Sequence, residues 1–268
     1  AFPDRADILI MESTYGNREH PEDQDTDETL EAIIRDTVKQ GGRVIVPAFA
    51  IGRTQELVYR LNNLVEAGDL PPDLAVYVDS PLAIDATSIF RAHPEAYDEE
   101  TAEIMMTDPD HDPFGFRLMH YTRSAQESKA LNFLKGPSVI ISASGMAEAG
   151  RILHHLKNNV EDSRNTVLIT GFQAPDTLGR RILDGHKRTK VFGEVYDVRA
   201  GGAGVTGVSG DADRSELLAW AGHLSQPPRQ TFLVHGEPEA AFALAERMRS
   251  QLGVPQVIVP ELGQRFTI

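Results

Sequence analysis

The chain has 268 residues, 41% hydrophobic and 25% charged, enough for one large packed domain or two smaller ones, and no apolar run approaches the length of a membrane span. A formal net charge of −14 excludes the simplest nucleic-acid binder, which coats phosphates with a broad basic face. With no cysteine there are no disulfides or thiolate metal sites, so any metal must be held by His and carboxylate, and a cytoplasmic setting fits.

The opening AFPDRADILIM lacks a secretion signal and reads as a chain entered partway through a domain. ADILIM predicts a strand, followed by an acidic loop and a helix over Asp27 to Gln40, whose Leu30, Ile33, Ile34 and Val38 share a face and which Gly41 and Gly42 end. Strand RVIVPAFA, helix TQELVYRLNNLVEAG and strand LAVYVDS then make a βαβ succession, which predicts a parallel sheet flanked by helices. A helical segment follows from Pro81 to about Tyr97, and the acidic Asp98 to Phe116 stretch is expected to be a loop. The alternation resumes with helix SAQESKALNFLK, strand PSVIISAS, helix GRILHHLKNNV, strand TVLITGF and helix TLGRRILDG.

Beyond the glycine-rich RAGGAGVTGVSG, the helix Asp213 to Leu224, strand TFLVHG, helix Pro238 to Leu252 and strand VIVPE form a unit of their own, with a domain transition near Ala200 to Thr206. Acid gathers at Glu19 to Glu28 and around Glu95 to Asp112. Arg180, Arg181, His186, Lys187, Arg188 and Lys190 form a basic run, read as solvated surface unless a local nucleic-acid site uses it.

Ligand crevices of open α/β sheets lie at the carboxyl ends of the strands. Glu12, Arg53, Gln55, Asp79, Ser80, Ser142 to Met146, His235 and Glu237 all fall there, although caps and turns collect at the same places. Paired histidines are no better guide. His154 and His155 are helix neighbours that point about 100° apart and lack the i, i+4 register of a chelating pair.

The ordered strings ILIMESTYGNREH, FAIGRTQEL, DSPLA, ISASGMAEAGRILHHL, GFQAPDTLGR and LVHGEPEAA resemble the C-terminal portion of the β-CASP family of the metallo-β-lactamase superfamily, a group of RNA-processing nucleases. The resemblance covers essentially the whole chain. It implies an α/β architecture in which a β-CASP domain with a mainly parallel sheet, about residues 17–203, is inserted into a partial metallo-β-lactamase αββα domain formed by residues 1–16 and 204–268. It implies further that Glu12 matches the acidic motif closing a metallo-β-lactamase strand and that His235 matches the last metal-binding histidine. Arg53, Ser144, Gly145, Gly150 and Arg151 match loops lining the cleft between the two domains, where an arginine can grip a phosphate with two hydrogen bonds.

Such a site hydrolyses RNA phosphodiesters with two zinc ions, which activate water and stabilise the phosphoryl oxygens, while an acid protonates the leaving oxygen. The chain departs from the pattern twice. In VSGDAD, Asp211 stands where the family carries a histidine acid oriented by the carboxylate matching Glu12. An aspartate has a reference pKa of about 3.9 against about 6.5 for histidine, so impaired protonation is expected unless Asp211 is strongly perturbed. Asp211 with Asp213 and Glu216 also resembles a helix cap with acids in its first turn. The second departure is larger: the His-x-His-x-Asp-His cluster is absent, which leaves His235 as the one credible ligand where a catalytic zinc needs about three.

Two functions follow. The first is the β-CASP and C-terminal part of a zinc-dependent ribonuclease acting on single-stranded RNA, with the missing N-terminal half or a homodimer partner supplying the rest, and with no membrane partner. The second is a catalytically silent RNA-binding or scaffold member of the same family. Replacing Arg151 with Ala is expected to weaken RNA binding.

Overall fold

A computed structural model describes residues 2–107 and 112–267. In chain order its elements are β1 (Ile8–Glu12), α1 (Asp23–Lys39), β2 (Arg43–Pro47), α2 (Arg53–Glu66), β3 (Ala75–Asp79), α3 (Pro81–Ala92), α4 (Glu99–Thr107), β4 (Met119–Tyr121), α5 (Ala125–Ala130) and β5 (Ser138–Ser142). They continue with α6 (Ile152–Asn159), β6 (Thr166–Ile169), α7 (Leu178–Leu183), β7 (Arg188–Val191), β8 (Glu194–Asp197), β9 (Gly201–Gly204), α8 (Arg214–Gly222), β10 (Gln230–Val234), α9 (Pro238–Leu252) and β11 (Val257–Ile258). The chain divides into two compact units, one made of residues 1–20 and 210–268, the other of residues 21–209. Among the described residues no helix is long and apolar enough to cross a membrane.

In the larger unit six strands lie in the order β4-β3-β5-β2-β6-β9, and every pairing is parallel. The apolar runs alternate as a two-faced strand requires. Val44, Val46, Val139, Ile141 and Leu168 pack on one face against Leu30 and Ile34 of α1 and Leu57, Val58 and Leu61 of α2. Ile45, Ile140, Val167 and Ile169 pack on the other against Ile152 and Leu156 of α6 and Ile182 of α7. Both faces are thus covered by helices, which is why these strands read as near-continuous Val and Ile.

The smaller unit holds a parallel sheet of order β1-β10-β11. Leu9, Met11 and Leu233 pack there with Leu217 and Ala221 of α8 and Leu244, Ala245 and Met248 of α9. Gly253, in the left-handed conformation with φ +65°, ends α9 as a helix C-terminus commonly does.

One expectation is corrected. The expected loop from Asp98 contains α4, because Glu, Ala and Met are good helix formers and Asp98 Oδ1 accepts from Thr101 N at 2.8 Å as a cap; residues 108–111 of that stretch lie outside the described ones. The two units divide at Ser209 and Gly210, a few residues past the transition expected near Ala200 to Thr206, and residues 201–204 of that glycine-rich stretch form the strand β9, paired with β6. Gly202 is needed there because a Cβ on it would lie 2.5 Å from the carbonyl oxygen of Ile182. The basic run leads into the antiparallel hairpin β7-β8.

Candidate functional site

In the smaller unit β1 and β10 run parallel with Glu12 beside Val234, so Glu12 and His235 leave adjacent strand ends. The two ends interlock. Ser13 Oγ donates to the Val234 carbonyl at 3.0 Å, and a Cβ on Gly236 would lie 2.4 Å from the Ser13 carbonyl oxygen. Thr14 N donates to Glu12 Oε2 at 2.6 Å, while Thr14 Oγ1 sits 3.3 Å from His235 Nδ1. One threonine therefore joins the carboxylate and the imidazole. His235 takes φ +64°, a conformation unusual for a residue with a side chain and a form of local strain that gathers at functional sites.

Asp211 lies in the turn before α8, and that turn is tied to the chain leaving β1. Tyr15, which is buried, bridges to Asp213 in parallel fashion; His20 N donates to Asp213 Oδ2 at 3.1 Å, and His20 Nε2 donates to the Asp211 carbonyl at 2.9 Å. The helix cap is Asp213 rather than Asp211: Asp213 Oδ1 accepts from Glu216 N and Glu216 Oε2 accepts from Asp213 N, both at 2.9 Å. The expectation that Asp211 shares in the cap is corrected accordingly. Asp213 is held below the usual carboxylate range: burial pushes it up, and the backbone donors of Glu216 and His20 outweigh that. The structure thus brings Glu12 and His235 to adjacent strand ends, joined through Thr14, and ties the turn that carries Asp211 to the segment from Tyr15 to His20.

In the larger unit the loops after β2, β5 and β6 meet at the carboxyl ends of the strands. Arg53 opens α2 and reaches Ser209 Oγ at 3.4 Å, with Gly171 beneath its guanidinium, where a Cβ would lie 3.2 Å from Nη2. Ser144 folds its loop back, accepting from Ala149 N on Oγ at 3.3 Å and donating its own N–H to the Ala149 carbonyl at 3.0 Å. Gly145 lies under the half-exposed ring of Phe49, where a Cβ would come within 2.7 Å, and its carbonyl accepts from Gln173 Nε2 at 3.0 Å. Gly150 has φ +85° and packs on the Ala143 carbonyl, so only glycine fits there without strain.

Arg151 is already engaged. Its Nη1 donates to Asp79 Oδ1 at 2.7 Å and to the Thr122 carbonyl at 3.3 Å, and its Nη2 donates to the Arg123 carbonyl at 2.7 Å. Asp79, fully buried at the end of β3, also accepts from Thr122 Oγ1 and Ser128 Oγ at 2.6 Å each and from His155 Nε2 at 2.7 Å. Burial pushes this carboxyl up, but the donors from His155, Ser128, Thr122 and Arg151 outweigh it and hold Asp79 well below the usual carboxylate range. The sequence placed Asp79 at a strand end without giving it a role. The signal present there was a carboxylate in an otherwise apolar strand, which must find donors if it is buried. His155 is its buried partner, whereas His154 is exposed against the ring of Phe192.

Among the described residues no group of three or more His, Cys, Asp or Glu side chains is placed to hold a metal ion.

Residues 54–182 match the Beta-Casp domain family, and residues 195–260 match the Zn-dependent metallo-hydrolase RNA specificity domain. Ribonuclease TTHA0252 of Thermus thermophilus is 36% identical over 92% of this chain and 55% of its own length. The transcription termination factors FttA of Methanosarcina mazei and Pyrococcus abyssi are 30% and 31% identical over 94% of the chain, and 40% and 39% of their own lengths. The chain therefore spans about half the length of these relatives or less. Two domain matches in order, with relatives aligned over more than nine-tenths of its residues, show that this chain belongs to the β-CASP metallo-β-lactamase family.

Proposed function

We propose that the chain carries the β-CASP and C-terminal parts of a zinc-dependent hydrolase that cuts single-stranded RNA at phosphodiester bonds, with its cutting impaired by Asp211. The observation that carries this reading is the pairing of β1 with β10, which sets Glu12 beside His235 with Thr14 between them. The relatives named ribonuclease and termination factor support RNA as the substrate class.

The described side chains do not by themselves form a zinc site, since among them no group of three or more potential ligands is assembled. No step is therefore routed through the metal. With Nδ1 facing Thr14, Nε2 is the ring nitrogen that would join a two-zinc site completed by ligands outside these residues, from a further segment or a partner copy. Glu12 then positions the proton donor, and Asp211 occupies the donor's place. A carboxyl there replaces the imidazole acid that the family carries at this place, which is the ground for expecting slower departure of the leaving oxygen. On the larger unit, Arg53 and the backbone of the Ser142 to Met146 loop supply cation and N–H donors to phosphates. Arg151, committed to Asp79, acts there by holding the loop rather than as an open cation.

The same aspartate supports a second reading, a member of the family that binds RNA without cutting it. One experiment separates the two. In a polypeptide that also carries the histidine cluster, Asp211→His is expected to raise single-turnover cleavage of a single-stranded RNA by roughly 10²–10⁴-fold. Cleavage that is already fast and unchanged by the substitution shows a competent aspartate, and RNA binding without cleavage in either form establishes the silent reading.

A further inference from the structure

The basic run is built into a surface hairpin. Across β7 and β8, Arg188 faces Asp197, Thr189 faces Tyr196 and Lys190 faces Val195. Thr189 and Val191 are buried, Val191 against Ile152 and Leu156 of α6, so the pleat turns Arg188 and Lys190 outward. The tip residues are Phe192 at φ +51° and Gly193 at φ +81°. Such a turn favours Asn, Asp or Gly at its first position, because a bulky side chain crowds the backbone at positive φ. Phe192 bears that strain, yet the residue is 51% exposed and its ring rests against the His154 ring with centroids 4.7 Å apart. Burial cannot explain an aromatic kept at such a place, and strain of this kind gathers where a surface has a task.

Two further observations say what the task is. His154 stands three residues beyond Arg151, about 4.5 Å along the helix axis, so the ring pair lies within one helical turn of the residue that ends the Ser144 to Arg151 loop. Arg188, Lys157 and Arg180 are paired with Asp197, Glu194 and Asp184, whereas Lys187 and Lys190 have no ion pair among the described residues. In a chain of net charge −14, an exposed aromatic flanked by unneutralised lysines matches the chemistry of a single strand, whose bases stack and whose phosphates need cations. The tip lies between the two matched domains, which end at residue 182 and begin at residue 195.

We propose that the β7-β8 tip is a second contact for single-stranded RNA, in which Phe192, backed by His154, stacks on a base while Lys187 and Lys190 neutralise phosphates. It rests on the RNA part of the reading above and adds a site outside the loops that reading uses. An aromatic face takes any base, so the contact has no sequence preference.

The test is the affinity of the chain for two labelled oligouridylates, of about 30 and about 6 nucleotides. Phe192→Gly removes the ring and relieves the positive φ, so it is expected to keep or raise the melting temperature while weakening the long RNA roughly tenfold and leaving the short one unchanged. Phe192→Trp is expected to restore binding. Replacing Lys187 and Lys190 together with Gln should lower the log–log salt slope for the long RNA by about 1.4, two single-strand contacts at about 0.7 each. Unchanged long-RNA affinity in Phe192→Gly, or an equal loss on both lengths, overturns the proposal while the RNA reading stands. Loss of self-association with RNA affinity intact assigns the tip to a protein partner and also overturns it. Failure of the unmodified chain to bind either RNA removes the RNA reading, and the second contact falls with it.

Discussion

Asp79 and Glu12 both stand at the carboxyl ends of parallel strands, and their surroundings are opposite. Asp79 is fully buried and takes hydrogen bonds from four side chains. Glu12 is half-buried, accepts from the Thr14 backbone, and shares that threonine with a histidine in a strained conformation. A buried carboxylate whose acceptor sites are filled is locked in one state and holds architecture. A carboxylate at a rim, beside an imidazole and partly open to solvent, keeps the capacity to act on something that arrives. The larger unit therefore spends its strand-end charge on a scaffold, and the smaller unit leaves its own available.

The comparison is broken most directly at Asp79. Asp79→Asn is expected to cost about 3–5 kcal/mol in denaturant unfolding, because Arg151 and His155 lose their charged partner, while Glu12→Gln stays within about 0.5 kcal/mol. A small loss for Asp79→Asn would show that the four donors do not depend on the charge of the carboxylate. The sign with pH follows from the depressed folded pKa. Asp79 contributes stability that is fully present above its unfolded value of about 3.9 and is lost as pH falls below it towards the folded value. Asp79→Asn should accordingly flatten the acid limb of the stability curve below about pH 4.

Smaller effects sharpen the contrast. Arg151→Ala is expected to cost about 1.5–3 kcal/mol, since it withdraws a charged donor from Asp79. Any loss of RNA affinity in that variant should therefore come with a lower melting temperature, and loss without destabilisation would return Arg151 to direct phosphate contact. Gly150→Ala should cost about 1–3 kcal/mol because the site needs positive φ and a Cβ would meet the Ala143 carbonyl. In the smaller unit Asp213→Ala, which removes the cap of α8, should cost about 1 kcal/mol. Asp211→His should change stability by no more than about 0.5 kcal/mol, as expected of an exposed residue whose neighbour does the capping.

Much of the fold was legible as pattern. Runs such as RVIVP and SVIIS announce strands covered on both faces, and the intervening helical periods announce the parallel order. The elements that escaped did so for local reasons. Met119–Tyr121 is too short to show a period, the hairpin hides its alternation among basic residues, and Gly201–Gly204 has almost no side chains with which to declare a strand. Of the candidate site, Glu12, His235, Arg53 and the Ser144 loop were visible through motif order, whereas the true cap, Asp213, was masked by a neighbouring aspartate two residues earlier.

By itself, then, the sequence determined the alternation of elements, the covered sheet and the family motifs, because these depend on residue type at short spacing. Only the tertiary structure decided that Arg151 serves Asp79, that His155 rather than His154 is buried with it, and that Thr14 joins Glu12 to His235. Those contacts link residues 72, 76 and 221 positions apart. Pairings at that range are settled by which strands lie side by side, a matter of whole-chain packing that no local pattern encodes.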